Sequence, residues 1–163
     1  MMNIAIAISL FNERVTTPLL EGCLARLQEL GIDTNAISVT RVPGAVELPI
    51  TAQQYVRSGH YDAVICLGVV IRGETDHYEY VCQQVSSGCQ QVALTHNIPV
   101  IFGVLTTENL EQALDRVGGS RGHKGRYAAE AAVKMIRVMQ SLYYEPSAKQ
   151  PKRRPEACPR EPG

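Results

Sequence analysis

The segment Ala63–Val81 reads AVICLGVVIRGETDHYEYV, and it decides the fold. Its first five residues are apolar with β-branched members, which is typical of a strand buried on both faces. The next eight residues contain two glycines, and we expect them to form a loop. Asp76 and Glu79 have the spacing of an acidic capping box, which predicts a helix that begins at Asp76. His77 then occupies the first helical position, just past the carboxyl end of a central strand.

The start of this helix is a candidate site for a phosphate and for proton transfer. The first turn of a helix carries unpaired N–H groups and about half a positive charge, and both favour an anion. His77 lies where an imidazole could transfer protons to or from a bound ligand. A first-turn histidine can equally be exposed without any chemical role. The local pattern alone favours that second interpretation.

Strand and helix patterns alternate along the rest of the chain. Strands are predicted over 3–9, 36–42, 63–67 and 99–105, and helices over 16–30, 47–58, 76–96, 108–117 and 126–144. Four successive strand–helix units indicate an open parallel sheet with right-handed crossovers and helices on both faces. The sequence therefore predicts one α/β domain over residues 1–145, a three-layer α/β/α structure with a four-stranded parallel sheet.

In such a sheet, ligands bind outside the carboxyl ends of the strands. Loops with distinctive sequences follow these ends, at 10–12, 42–47 and 68–77. Phe11 could cover a ligand ring or only fill the strand end, and the sequence alone favours the second. Glu47 could bind a polar ligand or only suit the helix dipole, and again the second is favoured locally.

The glycine-rich segment 118–125 has two competing interpretations. It lacks the Gly-Lys-Ser/Thr order of a P-loop, and it does not follow a strand as a dinucleotide fingerprint does. A linker between two helices is one interpretation. The flanking Arg116, Arg121 and Lys124 suit a phosphate, which is the other. The local pattern leaves both open.

Composition excludes several classes of function. The formal net charge is zero and 45% of the residues are hydrophobic, so we expect a soluble globular protein without nucleic-acid or membrane partners. Five scattered cysteines without a C-x-x-C motif favour reduced thiols in the cytoplasm, and no metal motif is evident. We expect no signal peptide before the first strand. Residues 146–163 hold five of the nine prolines and five basic residues, which predicts a disordered tail.

Four motifs in chain order resemble the lumazine synthase family. They are FN at 11–12, VPGAVE at 42–47, LGVVIRGETDH at 67–77 and FGVLTTEN at 102–109. The resemblance covers about residues 3–142. It implies a flavodoxin-like fold and the condensation of 5-amino-6-(D-ribitylamino)uracil with 3,4-dihydroxy-2-butanone 4-phosphate, with release of phosphate and water. It implies no cofactor and no metal, a homo-pentamer that can build an icosahedral shell of pentamers, and riboflavin synthase as a further partner.

The resemblance also assigns roles to individual residues. It makes His77 the residue that transfers protons and places Phe11, followed by Asn12, against the pyrimidine. The remaining substrate-binding residues are Ala45, Val46 and Glu47 at the ribityl chain, the backbone of Val69, Val70 and Ile71 at the pyrimidine edge, Glu74 and Thr75 at the phosphate with Arg116 and Lys124, and Phe102 from a neighbouring subunit.

Three features depart from the family pattern. Val46 replaces a residue that is commonly aromatic, the first strand lies almost at the start of the chain, and the proline-rich segment at 146–163 has no counterpart. Two alternatives are an archaeal-type riboflavin synthase and a catalytically silent flavin-binding or shell-forming protein. The GETDH and FGVLTTEN motifs favour lumazine synthase over the first. The presence of His77, Arg116 and Phe11 together argues against the second.

Overall fold

The structure is a computed structural model that describes residues 1–144 of the 163-residue chain. The predicted tail, residues 146–163, lies outside the described residues. The helices and strands in chain order are β1 (Ile4–Ser9), α1 (Glu13–Glu29), β2 (Ile37–Val42), α2 (Leu48–Ser58), β3 (Ala63–Ile71), α3 (His77–His96), β4 (Val100–Thr107), α4 (Leu110–Leu114), β5 (Val117–Gly119), β6 (Gly122–His123) and α5 (Lys124–Tyr144). Within residues 1–144, no helix is long and apolar enough to cross a membrane.

Strands β1 to β4 form one parallel sheet in the order β2-β1-β3-β4. Alternate residues of β1 point to opposite faces of the sheet. Ile4, Ile6 and Ile8 pack in the cluster formed with α1 and α5. Ala5 and Ala7 pack in the cluster formed with α2 and α3. These two helical layers confirm the predicted α/β fold with a four-stranded parallel sheet, and they are consistent with a flavodoxin-like arrangement.

Strand β3 is longer than the sequence predicts. The predicted strand ends at Leu67, but β3 continues through Gly68–Ile71, which pair with β4. Three of these four residues are β-branched and suit a strand. A Cβ atom at position 68 would lie 2.7 Å from the Ser9 hydroxyl, so Gly68 permits close packing and does not end the strand. The loop before α3 is therefore short.

Helix α1 begins earlier than the sequence predicts. Thr16 does not cap it, because this residue is buried within the helix and Asn12 occupies the N-cap position with a φ of 62°. The Asn12 carbonyl accepts the N–H groups of Val15 and Thr16 at 2.9 and 3.1 Å. Asparagine adopts this left-handed conformation more readily than most residues, so the helix can start directly after Phe11. Pro18 therefore lies inside the helix.

The glycine-rich segment between α4 and α5 is not a plain helix–helix linker. Strands β5 and β6 form an antiparallel hairpin, in which Gly118 and Gly122 have φ values of 113° and 78°. The Asp115 carboxylate accepts the N–H and the hydroxyl of Ser120, each at 2.7 Å. These hydrogen bonds lower the pKa of Asp115. The segment is thus a hairpin fastened at its base.

An ion-pair network joins α1 to α5. Arg126 contacts Glu29 at 2.7 Å, and Arg26 contacts Glu29 and Glu130, each at 2.8 Å. The hydrogen bonds from Arg126 and then Arg26 are the main causes that lower the pKa of Glu29 to about 2. The network links the two helices at their surface.

We predict that Glu29→Gln weakens the acid dependence of stability. Folding lowers the pKa of Glu29 from 4.5 to about 2. The Glu29 carboxylate therefore stabilises the folded protein above its unfolded pKa of 4.5, and this stability is lost as the pH falls from 4.5 to about 2. The effect should be small, because the side chain is 46% exposed. Urea unfolding of both proteins at about pH 7 and about pH 3 measures it. An equal acid loss in both proteins would contradict the prediction.

Candidate functional site

An open cavity of about 470 Å³ lies at the carboxyl ends of β1 and β3. Eight of the predicted site residues line it: Phe11, Ala45, Val46, Val69, Val70, Ile71, Thr75 and His77. Six predicted residues do not line it. Asn12, Glu47 and Glu74 adjoin lining residues along the chain, whereas Phe102, Arg116 and Lys124 belong to other parts of the fold.

Phe11 stands at the rim of this cavity, and the residue is 70% exposed. Its N–H donates to the Pro43 carbonyl at 3.2 Å, and the preceding Leu10 N–H donates to the Val42 carbonyl at 2.8 Å. These bonds fasten the β1–α1 turn to the loop after β2. An exposed ring on a fixed backbone does not fill the strand end, and it is free to stack on a planar ligand.

A tight turn forms the second side of the cavity. Ala45, Val46 and Glu47 make one turn of 3₁₀ helix before α2. One carboxylate oxygen of Glu47 accepts the Gly44 N–H at 2.9 Å, which fastens the turn. Within residues 1–144, the other oxygen has no hydrogen-bond partner, so it remains able to accept a ligand hydroxyl. Glu47 can therefore hold the turn with one oxygen and bind a polar ligand with the other.

The end of β3 offers an unpaired backbone edge. Pairing between β1 and β3 ends at Leu67, whereas pairing between β3 and β4 continues to Ile71. In a parallel strand, successive N–H and C=O groups point alternately to the two sides. The side of Val69–Ile71 that faces away from β4 therefore has donors and acceptors free for a planar hydrogen-bonding ligand. The lengthening of β3 creates this edge.

Helix α3 begins at His77, and its first two turns form the third side of the cavity. Tyr80, Val81 and Gln84 share a helix face with His77, because they follow it by three, four and seven residues. Sequence reasoning did not include these three residues in the site. The helical spacing from His77 was the signal that could have found them. The exposed His77 imidazole is thus open to a ligand in this cavity.

Arg72 holds the loop between β3 and α3 in place. Its guanidinium contacts Glu79 and Glu108, each at 2.7 Å, and lies 4.3 Å from the centre of the Tyr78 ring. The hydrogen bond with Glu79 is the largest cause that raises the pKa of Arg72. The predicted capping box is wrong, because Glu79 pairs with Arg72 and the Asp76 side chain makes no capping hydrogen bond.

Phe102, Arg116 and Lys124 are not among the residues that line this cavity. Arg116 lines a second cavity of about 780 Å³ together with Arg121 and Ser120, and its guanidinium donates to the Gln112 carbonyl at 2.8 Å. The hairpin beside it packs on α1 and α4, whereas the first cavity lies against the turn before α2 and the start of α3. Half-buried Phe102 packs in the cluster with α2 and α3. A single chain does not bring these cations to the Phe11 cavity.

Within residues 1–144, the cysteines and the potential metal ligands form no cluster at either cavity. Residues 1–144 contain no group of three His, Cys, Asp or Glu that could hold a metal ion. The cysteines described there are free, and none lines either cavity. Burial raises the pKa of the Cys23 thiol to about 12, which disfavours a reactive thiolate.

Comparison with known proteins gives one consistent result. The family model for 6,7-dimethyl-8-ribityllumazine synthase matches residues 1–140. The protein of that name from Coxiella burnetii (strain CbuG_Q212) is 59% identical over 139 residues, which are 85% of this chain and 92% of the relative. The protein of the same name from Salinibacter ruber (strain DSM 13855 / M31) is 49% identical over 138 residues, 85% of this chain and 88% of the relative.

Proposed function

The chain belongs to the 6,7-dimethyl-8-ribityllumazine synthase family, transferases of riboflavin biosynthesis, and from that premise we propose how its residues carry the reaction. The reaction condenses 5-amino-6-(D-ribitylamino)uracil with 3,4-dihydroxy-2-butanone 4-phosphate and releases phosphate and water. The observation that carries the proposal is the gathering of eight assigned residues around one cavity.

The pyrimidine substrate binds between the Phe11 ring and the unpaired edge of β3. The exposed ring stacks on the pyrimidine, with Asn12 fixing the turn behind it. The free N–H and C=O groups of Val69–Ile71 read the polar edge of the ring. Ala45, Val46 and Glu47 hold the ribityl chain, and the unpaired oxygen of Glu47 accepts one of its hydroxyls.

The phosphate of the second substrate binds at the start of α3. Glu74 and Thr75 offer N–H groups there, and the helix dipole favours the negative charge. The countercharge comes from Arg116 and Lys124 of a second copy of this chain, because they lie away from the cavity of their own chain. Phe102 reaches the site from the same neighbour.

This division of the site between copies requires a homo-oligomer. We assign a cytoplasmic homo-pentamer, in which every subunit interface completes one site. Pentamers can assemble further into an icosahedral shell, with riboflavin synthase as an additional partner. The resemblance of the motifs at 42–47, 67–77 and 102–109 supports this assignment.

The chemistry needs positioned substrates and proton transfer. The amine of the pyrimidine attacks the ketone carbon, and the carbinolamine loses water to give an imine. Loss of a proton and departure of phosphate follow, and the resulting enol becomes a ketone. The ribitylamino nitrogen then attacks that carbonyl and closes the ring with loss of a second water. His77 transfers the protons, which is typically worth about 10²–10⁴ in rate. Holding the two substrates in the correct relative orientation supplies a further large part of the rate enhancement.

We predict that Phe11→Ala raises KM for the pyrimidine substrate by about tenfold, because base–aromatic stacking is worth about 1–3 kcal/mol. KM for the phosphate substrate should change little. Steady-state kinetics with each substrate varied in turn measures both constants. Phe11→Tyr keeps an aromatic ring, so its KM for the pyrimidine substrate should remain close to that of the unmodified protein. Tyr143→Ala is a control that removes a similarly exposed aromatic ring elsewhere on the chain. An unchanged KM in Phe11→Ala would remove the stacking role.

A further inference from the structure

The imidazole of His123 packs closely against helix α1 at Gly22, a contact called here its seat. The half-buried ring lies against Gly22, and a Cβ atom at position 22 would overlap its atoms. Gly118 of the hairpin also lies near the ring, because an added Cβ there would be 3.7 Å from the His123 Cδ2 atom. The ring is thus enclosed between a helix and its own hairpin. Only glycine at position 22 leaves room for it.

A second close contact follows two residues later. At Gly125, in the first turn of α5, an added Cβ atom would overlap the Leu19 carbonyl and lie 3.1 Å from the Cys23 nitrogen. Lys124 lies between these two contacts with α1. Its N–H donates to the Arg116 carbonyl at 2.8 Å, so the backbones of both cations are joined. The position of this pair therefore depends on how the segment sits on α1.

The His123 ring acts here through its shape. Its Nδ1 atom is buried and has no hydrogen-bond partner among residues 1–144. Burial, followed by the nearby charge of Arg126, lowers the pKa of His123. A neutral ring whose buried Nδ1 atom has no partner contributes contact surface on that side and not a directed hydrogen bond. The close packing of the ring on Gly22 is therefore the contact through which we expect this side chain to act.

We propose that His123 is a positioning residue for the phosphate site, and that its seat on Gly22 holds Arg116 and Lys124 where they meet the substrate phosphate. The proposal rests on the roles assigned above to these two cations. The Arg126–Glu29 ion pair joins α5 to α1, and the His123 ring packs the hairpin before α5 against the same helix. Helix α1 thereby takes part in binding without contacting substrate.

Replacement of Gly22 by alanine tests the seat directly. Alanine favours a helix by about 1 kcal/mol over glycine, so a loss of function cannot come from a weaker helix. We expect KM for 3,4-dihydroxy-2-butanone 4-phosphate to rise by about tenfold, since a displacement near 1 Å can have effects of that order or more. KM for the pyrimidine substrate and kcat should stay within about twofold. Glu21→Ala, an exposed neighbour on the same helix, is the matched control.

Changes at His123 separate its ring from other effects of the Gly22 variant. His123→Ala should raise the same KM, and adding Gly22→Ala to it should have little further effect, because the overlapping ring is gone. His123→Phe retains a flat ring, so its KM for the phosphate substrate should stay nearer that of the unmodified protein. Should Gly22→Ala fail to assemble, His123→Ala and His123→Phe decide the question alone.

Three results would overturn the proposal. One is an equal rise of both KM values, which would indicate general damage to the subunit. A second is an unchanged KM for the phosphate substrate in His123→Ala while Arg116→Ala raises it, which would leave the proposed function intact. Third, if Arg116→Ala also leaves that KM unchanged, the role of Arg116 fails and the inference falls with it.

Discussion

Replacing His77 with alanine is expected to lower kcat by about a hundredfold without abolishing turnover, within the usual contribution of a general acid or base. His77 occupies the first position of α3 and lines the cavity with Phe11 and Thr75. The substitution removes proton transfer but leaves the ring at position 11, the β3 edge and the helix start in place. These groups still hold the two substrates together, which accounts for the remaining rate.

The measurement is kcat with both substrates saturating, on protein whose assembly and substrate binding are first shown to be unchanged. His60→Ala is the matched control, because His60 is exposed and does not line the Phe11 cavity. Complete loss of turnover in the correctly assembled His77 variant would contradict the view that the site acts mainly by holding substrates. An unchanged kcat would remove the catalytic role of His77.

Replacing Arg116 with alanine is expected to raise KM for the phosphate substrate by about thirtyfold, since a hydrogen bond to a charged group contributes about 1.5–3 kcal/mol. KM for the pyrimidine substrate should change far less. Arg116→Lys keeps the positive charge but cannot donate two parallel hydrogen bonds to the phosphate. Its KM for the phosphate substrate should therefore lie between those of the unmodified protein and of Arg116→Ala. Arg121→Ala is a useful comparison, because Arg121 lines the same cavity but has no assigned contact.

Mixing two defective chains shows which copy supplies Arg116. In a pentamer refolded from equal amounts of His77→Ala and Arg116→Ala, about a quarter of the interfaces would pair an intact His77 with a neighbour's intact Arg116. At low phosphate substrate, the mixture should therefore exceed the activity of either variant alone. Activity no higher than the mean of the two variants would contradict a site shared between copies.

The sequence was sufficient to predict the sheet because its strands have unambiguous patterns. The alternation in Ile4–Ser9 and the β-branched run in β3 allow few other structures, and the helices between them indicate parallel pairing. Gly68 misled the prediction of the end of β3, because glycine was taken as a break and proved to be a point of close packing against Ser9. That error concealed the unpaired edge at Val69–Ile71.

Other parts of the site depend on contacts between residues that lie far apart in the sequence. Arg72 pairs with Glu108, 36 residues away, and no local pattern indicates that contact. The close packing of His123 on Gly22 likewise joins two elements separated by most of the domain. Phe102 could be proposed only through the family resemblance, because no local pattern marks it, whereas the local pattern left Arg116 open as a phosphate ligand. Local patterns find elements and loops, and they do not find such pairings.

The most direct test of the account is formation of the fluorescent lumazine from both substrates by the purified full-length protein. The rate is followed against the slow uncatalysed background, beside the His77→Ala variant at equal concentration. The account predicts strong acceleration by the unmodified protein and a sharp but incomplete drop in the variant. A folded and assembled protein that gives only the background rate would contradict it and favour a silent flavin-binding or shell-forming protein.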